Sequence, residues 1–135
     1  MPANPIADAG FLAALIDRRD RHHHWALEQA GRYPPPWHTC EAALTEAFYL
    51  LEPAVGPLMA LLQRSQTVVA FDLGHDVERV MALMRKYADV PMSLADACLV
   101  RMSEILPDPV VLTIDDDFRI YRRHGRLVVP SVLPD

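Results

Sequence analysis

Four carboxylates stand in surroundings that give them no local partner: Asp8, Glu46, Asp96 and Asp115. Asp8 follows a short apolar segment and precedes an apolar helical pattern. Glu46 has Ala42, Ala43, Tyr49 and Leu50 at three and four residues' distance, and none can neutralise it. Asp96 is flanked in the same way by Met92, Ser93, Leu99 and Val100. Asp115 opens an Asp115-Asp116-Asp117 run after the apolar Val110 to Ile114, with the Thr113 hydroxyl beside it. An ionised carboxylate among apolar groups is costly unless it is paired, hydrogen-bonded or bound to metal. A set of oxygen donors suits Mg²⁺ or Mn²⁺ rather than zinc. A metal held there can activate water and stabilise a phosphoryl transition state. Each acid also has a plainer reading. Asp8 is a good helix N-cap, Ser93-x-x-Asp96 fits a variant capping box, Glu46 suits a solvent-facing helix position, and the Asp115 to Asp117 run suits a solvated turn.

The elements that must position these acids alternate between strand and helix. Asn4 to Ala7 is a short strand, and Phe11, Leu12, Leu15 and Ile16 predict a helix starting just after Asp8. A second helix is predicted from near Asp20 to Ala30, stopped by Gly31, and the stiff Pro34-Pro35-Pro36 leads to a short strand at Trp37 to Cys40. Helices follow at Glu41 to Leu51 and about Val55 to Arg64, a pair that could project from the body. The β-branched Thr67 to Phe71 reads as a buried strand. Asp76 to Tyr87 and Ser93 to Leu106 are helical, and Val110 to Ile114 is the clearest strand. A short helix at Asp117 to Arg123 and a last strand at Leu127 to Val129 complete the pattern. Such alternation predicts one α/β domain over residues 1–135, with a mostly parallel sheet covered by helices on both faces. Ligands of such sheets bind beyond the carboxyl ends of the strands, where Asp8 and Asp115 fall.

With its motifs in this order, the chain resembles the PIN-domain ribonucleases, and within them the VapC-type toxins of bacterial toxin–antitoxin pairs. The resemblance spans nearly the whole chain. It rests on Asp8-Ala9-Gly10-Phe11-Leu12, Asp20-Arg21-His22-His23, Leu44-Thr45-Glu46-Ala47, Leu94-Ala95-Asp96-Ala97 and Leu112-Thr113-Ile114-Asp115-Asp116-Asp117-Phe118. It implies a three-layer α/β fold and Mg²⁺- or Mn²⁺-dependent hydrolysis of RNA phosphodiester bonds, in tRNA or rRNA, by a toxin that stops translation. The family's acidic quartet would fall on Asp8, Glu46, Asp96 and Asp115, with Asp117 as a further metal ligand and Thr113 in support. A cognate antitoxin and a homodimer are the implied partners. The chain departs from the family at Ala9 and Gly10, where many members have Thr or Ser, and at Ser93, where relatives often have another acid.

The remaining composition narrows the alternatives. The net charge of −5 argues against non-specific coating of nucleic acid, which draws on clustered Lys and Arg. Phosphate positioning could instead come from local clusters, one of Arg18, Arg19 and Arg21 and another of Arg119, Arg122, Arg123 and Arg126. Arg19, Arg122 and Arg123 are the candidates for RNA contact. His22-His23-His24 cannot face one ion from a regular helix, because consecutive residues point about 100° apart. The two cysteines, Cys40 and Cys98, have no metal-ligand spacing and read as core residues in a reducing cytoplasm. No run approaches the about 20 apolar residues of a membrane span. A phosphatase with a strand-end lysine is disfavoured by the single lysine, Lys86, on a predicted helix. Nucleotide-cofactor enzymes are disfavoured because no GxGxxG or P-loop occurs. The competing reading from another class is a catalytically inactive PIN-like module that binds RNA or protein.

Overall fold

The computed structural model describes residues 2–135. Strands β1 (Asn4–Ala7), β2 (Trp37–Thr39), β3 (Thr67–Val69), β4 (Pro109–Leu112) and β7 (Ser131–Val132) form one sheet in the order β3-β2-β1-β4-β7. Every neighbouring pair in it is parallel. Helices α1 (Ala9–Ile16), α2 (His23–Arg32), α3 (Glu41–Leu51), α4 (Gly56–Gln63), α5 (Val77–Lys86) and α6 (Leu94–Ile105) cover it. A small antiparallel ribbon joins β5 (Arg122–Arg123) to β6 (Leu127–Val128).

Side chains of a strand alternate between faces, and the two central strands divide accordingly. Ala7, Val110 and Leu112 belong to a core with Phe11, Leu12 and Ala26 from α1 and α2 and with Leu58 of α4. Ile6 and Val111 belong to a second core with Val80 of α5 and Cys98, Leu99 and Met102 of α6. Two cores on opposite faces of one sheet make the three-layer α/β arrangement. Helix α3 stands where they meet: Ala43 packs into the α6 core, and Leu44 and Ala47 into the α1 core. Because Leu58 is fully buried, the α3–α4 pair is packed down and does not project.

Several boundaries differ from expectation for local reasons. Helix α2 begins at His23 and runs through Gly31 to Arg32. Nothing lies within 4 Å of where a Gly31 Cβ would be, so glycine here costs only its propensity, about 1 kcal/mol. The stop comes from Pro34 to Pro36, since a proline disfavours helical backbone in the residue before it. Strand β3 ends at Val69 and lies at the sheet edge with Val69 exposed, so it is not a buried strand. The helix expected at Asp117 to Arg123 is a single 3₁₀ turn, Asp116–Arg119, after which Arg122 and Arg123 enter the ribbon. The final expected strand, Leu127 to Val129, is the ribbon's other half. The fifth sheet strand, β7, was not anticipated: two residues beside Pro130 and Pro134 carry too little pattern to read.

Candidate active site

The strand order reverses its direction of growth at β1. The chain builds outward through β2 and β3, then returns to place β4 on β1's other side. Crevices beyond the carboxyl ends of strands at such a switch point are where open α/β sheets bind ligands. β1 and β4 are in register, with Ala7 opposite Leu112. The residues that leave the sheet together are therefore Asp8 and Thr113.

Asp8 has only 7% of its surface exposed, and both its carboxylate oxygens are hydrogen-bonded. Its backbone N–H donates to the Leu112 carbonyl at 3.0 Å. One side-chain oxygen accepts the Ala9 N–H at 2.7 Å and thereby caps α1. The other accepts the Thr113 hydroxyl at 2.7 Å. The Thr113 oxygen accepts in turn from the Asp115 N–H at 3.0 Å, so one fully buried hydroxyl ties both strand-end acids together. One residue back, the Thr39 hydroxyl donates to the Ala7 carbonyl at 2.8 Å and fixes β2 against the same corner. Gly10 lets the turn after β4 approach α1: a Cβ there would stand 2.5 Å from Ile114 Cγ1.

The other acids come from three further elements. Asp96, 9% exposed, sits on the first turn of α6. The capping box with Ser93 is complete, and Asp96 also faces the cleft, so capping and site membership coexist in one residue. Asp115 caps the 3₁₀ turn by accepting the Asp117 N–H at 2.9 Å. Glu46 is exposed on α3, as its plainer reading required, yet borders the same cavity. Asp8, Glu46, Asp96, Asp115 and Asp117 all line one open cleft of about 450 Å³, with Leu50 and Pro91 on its wall.

Electrostatically the cleft is uncompensated. None of the five acids forms an ion pair with Lys, Arg or His among the described residues. Burial pushes the Asp8 carboxyl up to about 7, against the lowering effect of the Thr113 and Ala9 donors, with Asp96 and Glu46 adding repulsion. Burial also raises Glu46, with Asp96 and Asp115 contributing, and raises Asp96 despite its hydrogen bonds to Tyr121 and Ser93. Asp117 is raised by desolvation first and then by Asp115 and Asp116. Such a set binds protons or cations with unusual readiness.

Among the described residues no group of three or more His, Cys, Asp or Glu is gathered to hold a metal ion. The five acids surround one space without converging on one point. The donor set nevertheless fits Mg²⁺ or Mn²⁺ in kind and charge: it is all oxygen, and its buried members lack counter-charges. Mg²⁺ commonly takes one or two protein carboxylates, with water and substrate phosphate completing its octahedron. Asp8 and Asp96, the two buried acids of the cleft, would be the residues to supply them.

The basic candidates are placed differently. Arg122 turns its guanidinium inward, one nitrogen donating to the carbonyls of Arg119, Ile120 and Tyr121 at 2.8, 3.2 and 2.9 Å. It closes the 3₁₀ turn and is not held toward the cleft. Arg123 donates toward His124 at 3.3 Å in the ribbon. Arg19 is the freest, its side chain 94% exposed and 3.7 Å from Asp17. Two other cations, Arg21 and Arg119, stand beside a neighbouring cavity, Arg119 3.5 Å from Asp116. With His22 and Asp116 they line that cavity, of about 540 Å³, which shares Ile114 with the acidic one.

One residue of the site was missed by sequence reasoning. The Tyr121 hydroxyl donates to Asp96 at 2.9 Å from a fully buried ring. Its only sequence signal was an aromatic among arginines, Ile120-Tyr121-Arg122-Arg123. No protein-family model matches the chain, and a search of curated proteins finds no match.

Proposed function

We propose that the protein is a Mg²⁺- or Mn²⁺-dependent endoribonuclease of the PIN-domain kind, acting as the toxin of a toxin–antitoxin pair. The observation that carries this reading is the uncompensated acidic cleft at the carboxyl edge of β1 and β4. An acid cluster costs stability, and a divalent cation is the simplest ligand that repays it. The cation would supply a Lewis acid for a phosphodiester and lower the pKa of a bound water. The chain's own part is to present carboxylate oxygens at fixed places. Thr113 and the Ala9 N–H orient Asp8, the Ser93 cap and Tyr121 orient Asp96, and the Asp117 N–H orients Asp115.

Arg21 and Arg119, on the neighbouring cavity, are suited to phosphate positions flanking the cut. Tyr49, Leu50 and Met59 supply exposed apolar surface on α3 and α4 of the sort that a second copy or an antitoxin covers. No helix among the described residues is long and apolar enough to cross a membrane. A cytoplasmic site of action on tRNA or rRNA is part of the proposal. The observation favouring a non-catalytic binding module is that no three acids converge on one point.

The deciding experiment incubates the purified, antitoxin-free protein with structured cellular RNA in Mg²⁺, Mn²⁺ or EDTA, beside Asp96→Asn. Metal-dependent cuts at few positions, lost in the variant, are the expected result. RNA binding without cleavage in any metal, together with no Mn²⁺ binding by calorimetry, would replace the nuclease with the binding module.

A further inference from the structure

Tyr121 and Asp96 meet in a way that bears on which cation the cleft accepts. Asp96 Oδ2 accepts two donors, the Tyr121 hydroxyl at 2.9 Å and the Ser93 N–H at 3.3 Å. Among the described residues both protein donors to this carboxylate converge on that one oxygen, and Oδ1 receives none. The tyrosine has little freedom to leave. Its ring is fully buried and meets Phe118 edge-on at 5.2 Å and Tyr87 at 5.1 Å. Tyr87 is fixed in turn, its hydroxyl accepting the Arg122 N–H at 2.8 Å. Phe118 belongs to the 3₁₀ turn that Asp115 caps, so one aromatic cluster holds the seats of two cleft acids.

Resting on the metal-dependent reading above, we propose that Tyr121 is a positioning residue that makes Asp96 a one-oxygen ligand and biases the cleft toward Mg²⁺ and Mn²⁺ against Ca²⁺. The physical reason is a difference in coordination habit. Ca²⁺ takes six to eight oxygens and readily uses both oxygens of a carboxylate, whereas Mg²⁺ demands a near-octahedral set at shorter range. Two-oxygen binding by Asp96 would draw Oδ2 away from Tyr121 and leave a buried phenol without an acceptor. That loss falls on the Ca²⁺ complex and spares a complex that uses Oδ1 alone.

The test measures Mn²⁺ and Ca²⁺ affinities by calorimetry, with the metals alone, for wild type, Tyr121→Phe and Tyr87→Phe, alongside metal-free thermal midpoints. Tyr121→Phe keeps the ring and removes only the hydroxyl. The expected result is that the wild type prefers Mn²⁺ and that Tyr121→Phe narrows this preference about 10-fold, while Tyr87→Phe leaves it unchanged. Should Tyr121→Phe not fold, Phe118→Leu takes its place by loosening the ring's seat, with the same direction expected at smaller size. An unchanged preference in a wild type that binds Mn²⁺ overturns the role of Tyr121 and leaves the nuclease reading standing. Equal narrowing in Tyr87→Phe assigns the effect to packing and also overturns it. A wild type that binds neither metal overturns the metal-dependent reading and this inference together.

Discussion

Two regions of the molecule gather acids, and they treat them in opposite ways. At the far end of α6 from the cleft, Arg101 stands between Asp76 and Glu104, 3.3 Å from each, with all three side chains mostly buried. Glu104 also accepts the His124 N–H at 2.7 Å, so the neutralised group pins the β5–β6 ribbon to α6. In the cleft, five acids share one cavity, and among the described residues their only protein partners are neutral donors: hydroxyls and backbone N–H groups. Acids that serve the fold are given a guanidinium. The cleft acids are oriented by neutral donors but given no counter-charge, and their carboxyls are pushed up in consequence.

Four measurements test that contrast. The largest effect concerns chemistry. On the proposed metal-dependent reading Asp96→Asn removes a ligand charge, and a metal's contribution of several kcal/mol to the transition state corresponds to a loss of RNA cleavage of about 1,000-fold. Single-turnover assays in Mn²⁺ measure it, and cleavage within a few-fold of wild type would remove Asp96 from the site.

Next comes the paired region. Arg101→Met strands two buried carboxylates and is expected to cost about 3 kcal/mol in urea unfolding. A loss below about 0.5 kcal/mol, the scale of an ordinary surface substitution, would mean that the ion pairs are not what holds the ribbon.

The cleft should give the opposite sign. The Asp8 carboxyl titrates near 7 in the folded protein and near 3.8 when unfolded. Between those values the folded state holds the proton and the unfolded state does not. Its penalty is therefore absent below about pH 4, grows through the interval, and is complete above about pH 7. Asp8→Asn should stabilise the metal-free protein by about 2 kcal/mol at pH 8 and by little at pH 4. Urea titrations at the two pH values check this, and a pH-independent effect would contradict the burial argument. Mn²⁺ should raise the wild-type midpoint and leave that of Asp8→Asn nearly unmoved.

A smaller effect separates two classes of arginine. Arg122→Ala should cost about 1 kcal/mol of stability, through the lost bonds to the carbonyls of Arg119, Ile120 and Tyr121, and leave the salt dependence of RNA binding unchanged. Arg21→Ala and Arg119→Ala should each flatten that dependence by roughly one phosphate contact. Fluorescence anisotropy across a salt series distinguishes them, and the reverse pattern would restore Arg122 to the RNA surface.

Much of this was legible in the residues. The first strand, the start of α1 at Ala9 and the span of α3 were readable because apolar periodicity and good start and stop residues coincide there. The Ser93–Asp96 box was readable as a motif. The short pieces were not. The two-residue strands β5 and β7 carry no period, and the 3₁₀ turn at Asp116–Arg119 has the composition of a helix start but is ended one turn on, where Arg122 takes its carbonyls. Acidic residues with no local partner could be listed from sequence, but local absence of a partner says nothing about distant ones. Glu104 has Arg101 three residues before it on the same helix, whereas Asp76 meets that arginine only across 25 residues.

The sequence by itself determined the alternation of strand and helix, and with it a parallel α/β sheet, because hydrophobic period and turn chemistry are local properties of the chain. Only the tertiary structure decided which acids share a space. That depends on β4 returning to the side of β1 away from β2 and meeting it in register, so that Asp8 and Thr113 leave the sheet together. The same long-range closure brought Asp76 to the Arg101–Glu104 pair of α6 and left the cleft without a cation of its own. It also set Tyr121 against Asp96, a pairing across 25 residues that no local pattern announces.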